Sequence, residues 1–95
     1  MHARLTRFKL KPGKREEWIR FRDEVDGEVR ALKGLKHWIG LVGDNDDVVV
    51  VAICDQAASI KESMPALRRV WECSAHLMDE QPSTARYEVV RFDTV

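Results

Sequence analysis

Apolar and polar positions alternate along the chain in six periodic stretches, four with the period of a strand and two with that of a helix. Arg4 to Leu10 predicts a first strand, with Thr6, Phe8 and Leu10 on one face and Leu5, Arg7 and Lys9 on the other. Lys11-Pro12-Gly13-Lys14 then breaks the chain into a turn. From Lys14 to Lys33 the period lengthens. Trp18, Phe21, Val25, Val29 and Leu32 recur at spacings of three and four and make one apolar stripe of a helix. Glu16 and Glu17 suit its positive end, and Gly34 suits the residue just past its last turn. Alternation returns over Leu35 to Val42, with Leu35, His37, Ile39 and Leu41 facing one way and Lys36, Trp38, Gly40 and Val42 the other. Gly43 to Asp47 is a turn, so this strand and the next form a hairpin. Val48 to Cys54 is the third strand, and Gln56 to Asp79 the second helix. The main stripe of that helix is Ile60, Met64, Leu67, Trp71, Ala75 and Met78, flanked by Ala66, Val70, Cys73 and Leu77, and Pro65 is expected to divide it into two pieces. Ala85 to Phe92 is the fourth strand.

The order is β-α-β-β-α-β within one domain spanning residues 1–95. It predicts an α+β fold of the split-βαβ, ferredoxin-like kind, an antiparallel sheet with two helices on one face. Val48-Val49-Val50-Val51-Ala52-Ile53-Cys54 is β-branched and apolar on both of its faces. Both sides of its sheet then need cover. Two helices can cover one side. The simplest cover for the other is a second copy of the chain, so a homodimer is expected.

Composition narrows the partners. Sixteen basic residues balance sixteen acidic ones, which leaves no overall field to draw nucleic acid or an anionic membrane. No apolar run approaches the ~20 residues of a bilayer span, and Met1-His2-Ala3-Arg4 has no apolar leader segment. These features predict a cytoplasmic protein whose two cysteines, Cys54 and Cys73, are reduced thiols.

The Lys-Pro-Gly-Lys turn after the first strand, the Lys-Gly-Leu step into the second and Arg-Tyr-Glu-Val-Val in the last carry a family likeness. With their order and spacing, the chain resembles, over nearly its whole length, the antibiotic-biosynthesis-monooxygenase-like (ABM-like) group of the dimeric α+β barrel superfamily. That resemblance implies two sheets packed face to face across a dimer axis and a cavity between each sheet and its helices. It implies a cofactor-free monooxygenase acting on an electron-rich aromatic: a phenol, a quinol or a polyketide-like ring. The haem-degrading branch of the superfamily has an Asn on the first strand and an axial His on the second helix. Here those positions fall near Thr6 and near Cys73, with His76 one turn away on the polar side, so no haem is expected.

Candidate chemistry is sparse. Cys73 and His76 stand at the i, i+3 spacing of a metal pair, but no third ligand pattern completes a site. The expectation is a buried Cys73, a surface His76, and no metal or cofactor. The Asp44-Asn45-Asp46-Asp47 turn lacks the glycine and distal glutamate of a calcium loop. His37 alternates with Leu35 and Ile39 and is expected inside. A satisfied core histidine is its plain role. Its functional role would be the base that takes a phenolic proton, since an imidazole titrates near neutral pH. Trp71 is expected as a core residue that also walls an aromatic pocket, with Trp38 and Tyr87 as further substrate contacts. Two other functions remain compatible with the same residues: a non-catalytic dimeric domain that binds a small aromatic or apolar ligand, and an isomerase or lyase.

Overall fold

A computed structural model describes all residues, 1–95. Its elements are β1 (His2–Lys9), α1 (Arg15–Glu24), α2 (Asp26–Arg30), β2 (Leu35–Val42), β3 (Asp47–Cys54), α3 (Ala57–Ser74), a 3-10 turn (Ala75–Leu77) and β4 (Ser83–Glu88). The four strands form one antiparallel sheet in the order β2-β3-β1-β4, and all helices lie on one face. This is the expected ferredoxin-like α+β fold, with the valine run as a central strand. No helix is long and apolar enough to cross a membrane.

Register decides which side chains meet the helices. Thr6 stands opposite Val50 and Phe8 opposite Val48, while Gly40 and Val42 of β2 stand opposite the same two valines. This row packs into a core of Phe8, Leu10, Trp18, Val48, Val50, Leu77 and Met78, joined by Phe21, Trp38, Val42 and Trp71. Segment 77–79 is pinned to the end of β1. Lys11 N–H donates to the Leu77 carbonyl at 2.9 Å, and Asp79 N–H to that of Lys9 at 2.7 Å. Gly40 leaves room for the Trp38 ring. A Cβ there would stand 2.8 Å from the indole, which stacks on Trp18 with ring centroids 6.4 Å apart.

The opposite face carries His37, Ile39 and Leu41 of β2, Val49, Val51 and Ile53 of β3, Ala3, Leu5 and Arg7 of β1, and Ser83, Ala85 and Tyr87 of β4. Ile39 is 42% exposed, Leu41 52% and Tyr87 55%. Ala3 and Ile53, in the end row of this face, are buried nonetheless. After Glu88 the chain leaves the sheet and crosses that row, for Phe92 stacks on His37 on the far edge strand, centroids 4.9 Å apart.

Several boundaries differ from expectation: β1 begins at His2 rather than Arg4, α3 ends at Ser74 rather than Asp79, and three further differences have a local cause. The first helix is divided at Val25, whose φ of −98° and ψ of 13° are not helical. Val25 is β-branched, and Asp26 and Gly27 after it are weak helix formers. Pro65 does not divide α3, which runs through it. Proline removes the bond to the Lys61 carbonyl, but both residues lie on the exposed side, where water can take the freed acceptor. β4 covers Ser83–Glu88 rather than Ala85–Phe92, because β1 begins at His2, opposite Glu88. Just beyond that pair the Met1 carbonyl accepts from Val89 N–H at 3.0 Å.

Candidate functional site

The space between sheet and helices is a small cavity of about 50 Å³. Its floor is the helix-facing row of β1, which runs Arg4, Thr6, Phe8. Its walls come from α1 (Trp18, Phe21, Arg22), β2 (Trp38) and α3 (Leu67, Val70, Trp71, Ser74), with Met78 at one end. Phe8, Trp18, Phe21, Trp38 and Trp71 make the lining strongly aromatic. The Phe8 and Trp18 rings meet edge to face at 5.8 Å. Trp71 and Met78 also wall an outer groove of about 470 Å³, whose other residues include Arg68, Glu72, Asp79 and Glu80. These two side chains therefore border both the inner space and the outer groove.

The polar groups in the cavity are few and uneven. Arg22 donates to Asp26 at 2.8 Å, and its guanidinium lies 4.3 Å from the centre of the Trp38 ring. Asp26 also accepts from Arg30 at 2.7 Å, and these hydrogen bonds hold its carboxyl below the usual carboxylate range. Ser74 is turned back on its own helix, donating to the Val70 and Trp71 carbonyls at 3.2 Å. Arg4 is different. It is 2% exposed and forms no ion pair or side-chain hydrogen bond; its Nε and the hydroxyl of Thr6 beside it are buried without a partner. Burial lowers the Arg4 pKa, and the neighbouring Cys54 acts in the opposite direction. A guanidinium still stays protonated near neutral pH.

The expected site residues divide between the two faces. Trp71 and Trp38 line the cavity together. His37 and Tyr87 do not: they lie on the opposite face of the sheet, in the end row crossed by the tail. The expectation of an interior His37 is corrected, for it is exposed and stacks on Phe92. Both faces of β2 carry apolar residues, so alternation separates them without saying which one the helices cover. Pairing with Val48 and Val50 puts Trp38, Gly40 and Val42 on the covered side. Cys73 is exposed rather than buried, because Ser74 takes the inward position, while Cys54 is buried. Arg4, Thr6 and Arg22 were absent from the expected site. A sequence signal existed for the first of them: Arg4 shares a strand face with Thr6, Phe8 and Leu10, so a cation sits at the head of a largely apolar row.

Solved structures share this architecture. A protein of unknown function from Nitrosomonas europaea aligns with a TM-score of 0.81 over 99% of this chain and 93% of its own, at 17% identity. A protein provisionally named an antibiotic biosynthesis monooxygenase, from Chloroflexus aurantiacus, aligns with a TM-score of 0.75 over 98% and 96%, at 16% identity. Another so named, from Nitrosomonas europaea, aligns with a TM-score of 0.78 over 96% and 100%, at 14% identity. At such identities the likeness is one of fold. No protein-family model and no curated sequence matches the chain.

Proposed function

We propose that this protein is a cofactor-independent monooxygenase that oxidises an electron-rich aromatic compound in the cavity between sheet and helices. The observation that carries this reading is the lining: five aromatic side chains close one space beside two guanidinium groups and a free hydroxyl. Aromatic walls suit a flat ring, and a dry pocket suits a reaction in which an ionised phenol or quinol gives an electron to dioxygen. The chemistry balances for a substrate with two removable hydrogens, since one oxygen atom enters the ring system and the other leaves as water. The fold likeness to structures provisionally named monooxygenases supports the reaction class.

A cavity of about 50 Å³ is smaller than the roughly 150 Å³ known to hold benzene. A ring must therefore displace Trp71 or Met78 and join the inner space to the outer groove. Methionine has the flexible, unbranched side chain for such a movement. The same reading sets a second copy of the chain against the open face, where Leu5, Ile39, Leu41, Val49 and Val51 form an apolar patch. Light scattering is then expected to give twice 11.0 kDa at micromolar concentration. A stable monomer would leave that patch bare and remove the dimer from the proposal.

Oxygen uptake with a panel of quinols and hydroxynaphthalenes, without added cofactor, tests the reaction. Uptake is expected with at least one of them and should fall on Trp71→Ala, while His37→Ala leaves it unchanged because His37 faces away from the cavity. Saturable binding without uptake across the panel would favour the second reading, a ligand-binding domain. One feature is in its favour: no lining residue is a base near neutral pH.

A further inference from the structure

We infer that Arg4 is the anion-recognition group of this cavity, and that its ligand carries an ionised oxygen, a carboxylate or a phenolate, on an aromatic ring. The inference rests on the cavity being the ligand site. Arg4 is almost wholly buried, yet no acidic residue lines the cavity with it. The shallow groove on its other flank offers none either, being lined by Ile60, Lys61, Met64, Thr84, Ala85 and Arg86. Its strand neighbours in register are Ala52 and Arg86. The second guanidinium, Arg22, is paired with Asp26, a carboxylate it shares with Arg30. Arg4 is thus the one cation of the cavity with no acidic partner.

A buried charge without a counter-charge is costly, and a ligand anion of the right shape offsets part of that cost. A guanidinium presents paired N–H donors that match a carboxylate and also serve a single phenolate oxygen. Thr6, two residues along on the same face of β1, adds a hydroxyl that is itself without a partner. The lining also explains why an anion is suited better than its conjugate acid. With no base in the cavity, ionisation of a phenol must be favoured by what holds the oxygen afterwards, and Arg4 is placed to do so. Phe8, Trp18, Trp38 and Trp71 supply the apolar surface for the ring.

The test uses the full chain and three ligands of one shape: 2-naphthoate, its neutral analogue 2-naphthamide, and 2-naphthol, whose ionised form has its own absorbance band. Affinities come from calorimetry and from quenching of tryptophan fluorescence. The expected result is that 2-naphthoate, or 2-naphthol bound as the naphtholate, binds about 10- to 100-fold more tightly than 2-naphthamide, the range for a hydrogen bond to a charged group. Whichever of the two anions is preferred identifies the carboxylate or the phenolate as the source. Arg4→Met should abolish the preference while 2-naphthamide affinity stays the same, and Arg4→Lys should retain part of it. Equal affinities in the wild-type protein, or a preference that survives Arg4→Met, would overturn the inference while leaving the aromatic cavity in place. If no ligand binds, charged or neutral, the cavity reading falls and this inference with it. If Arg4→Met does not fold, Arg4→Lys and Arg22→Met decide the matter: the preference should shrink in the first and persist in the second, and the reverse pattern would overturn the inference.

Discussion

Arg4 and Arg22 border one apolar space, and the difference between them is a counter-charge. Arg22 has Asp26 four residues further along the chain, whereas Arg4 stands on a strand between neutral and basic neighbours. The cysteines show the same control by surroundings. Cys54 is buried, and loss of water raises its thiol pKa, with Asp55 adding to the rise and Arg4 opposing it. A raised pKa means less thiolate at any given pH, and burial also blocks access. Cys73 is exposed. A disulfide-exchange reagent at pH 8 should therefore titrate one thiol per chain quickly and the second only after unfolding. Two fast thiols in the native protein would contradict the burial of Cys54. Trp71 and Trp38 were legible as pocket residues because tryptophans on a helix stripe and on an apolar strand row tend to face one interior. His37 was misplaced because the row that carries it is equally apolar. Arg4 carried a signal as the cation at the head of the row Thr6, Phe8 and Leu10, but a charged residue at a strand end is ordinarily solvated, and its burial depends on packing by α3 that the strand alone does not show.

At the scale of the element, the sequence pattern located all four strands and both helical segments, and the errors fell at the ends and at two interior points, Val25, which divides the first helix, and Pro65, which does not divide the second. A strand stops where its partner stops, as β4 does at Glu88, and that is a property of two segments that neither shows alone. Helix ends depend on single backbone angles, as at Val25. The two helical connections have opposite tolerances that can be measured. Gly34 has a φ of +74°, and a Cβ there would collide with the Asp55 carboxylate and Ser59. Gly34→Ala should destabilise the protein by more than ~1 kcal/mol, through backbone strain and through disturbance of the junction between β3 and α3. Gly27 lies in α2 with open space where a Cβ would stand. Gly27→Ala should stabilise by roughly 0.5–1 kcal/mol, because the unfolded chain loses freedom that glycine allows. Denaturant unfolding of both variants checks the pair. Equal effects, or a stable Gly34→Ala, would show that the turn after α2 is not held as described.

The whole molecule is a sheet with two unlike faces. One meets the helices around an aromatic cavity with an unbalanced cation. The other is a largely aliphatic surface, crossed at one end by the tail that carries Phe92. The central place of β3 in the sheet was readable from the valine run, since a strand apolar on both faces suits the middle of a sheet. Which face of β2 lines the cavity was not readable, because that depends on register across three strands. The most direct measurement follows the side-chain NMR signals of the two faces during titration with 2-naphthoate. Trp18, Trp38 and Trp71 all line the cavity and each gives one indole N–H signal, while His37 and Tyr87 report on the opposite face. The expected result is that the three indole signals shift together and saturate, with the His37 and Tyr87 ring signals little changed. Shifts confined to His37 and Tyr87, with the indole signals unmoved, would place the ligand on the open face and contradict the assignment of the site to the cavity.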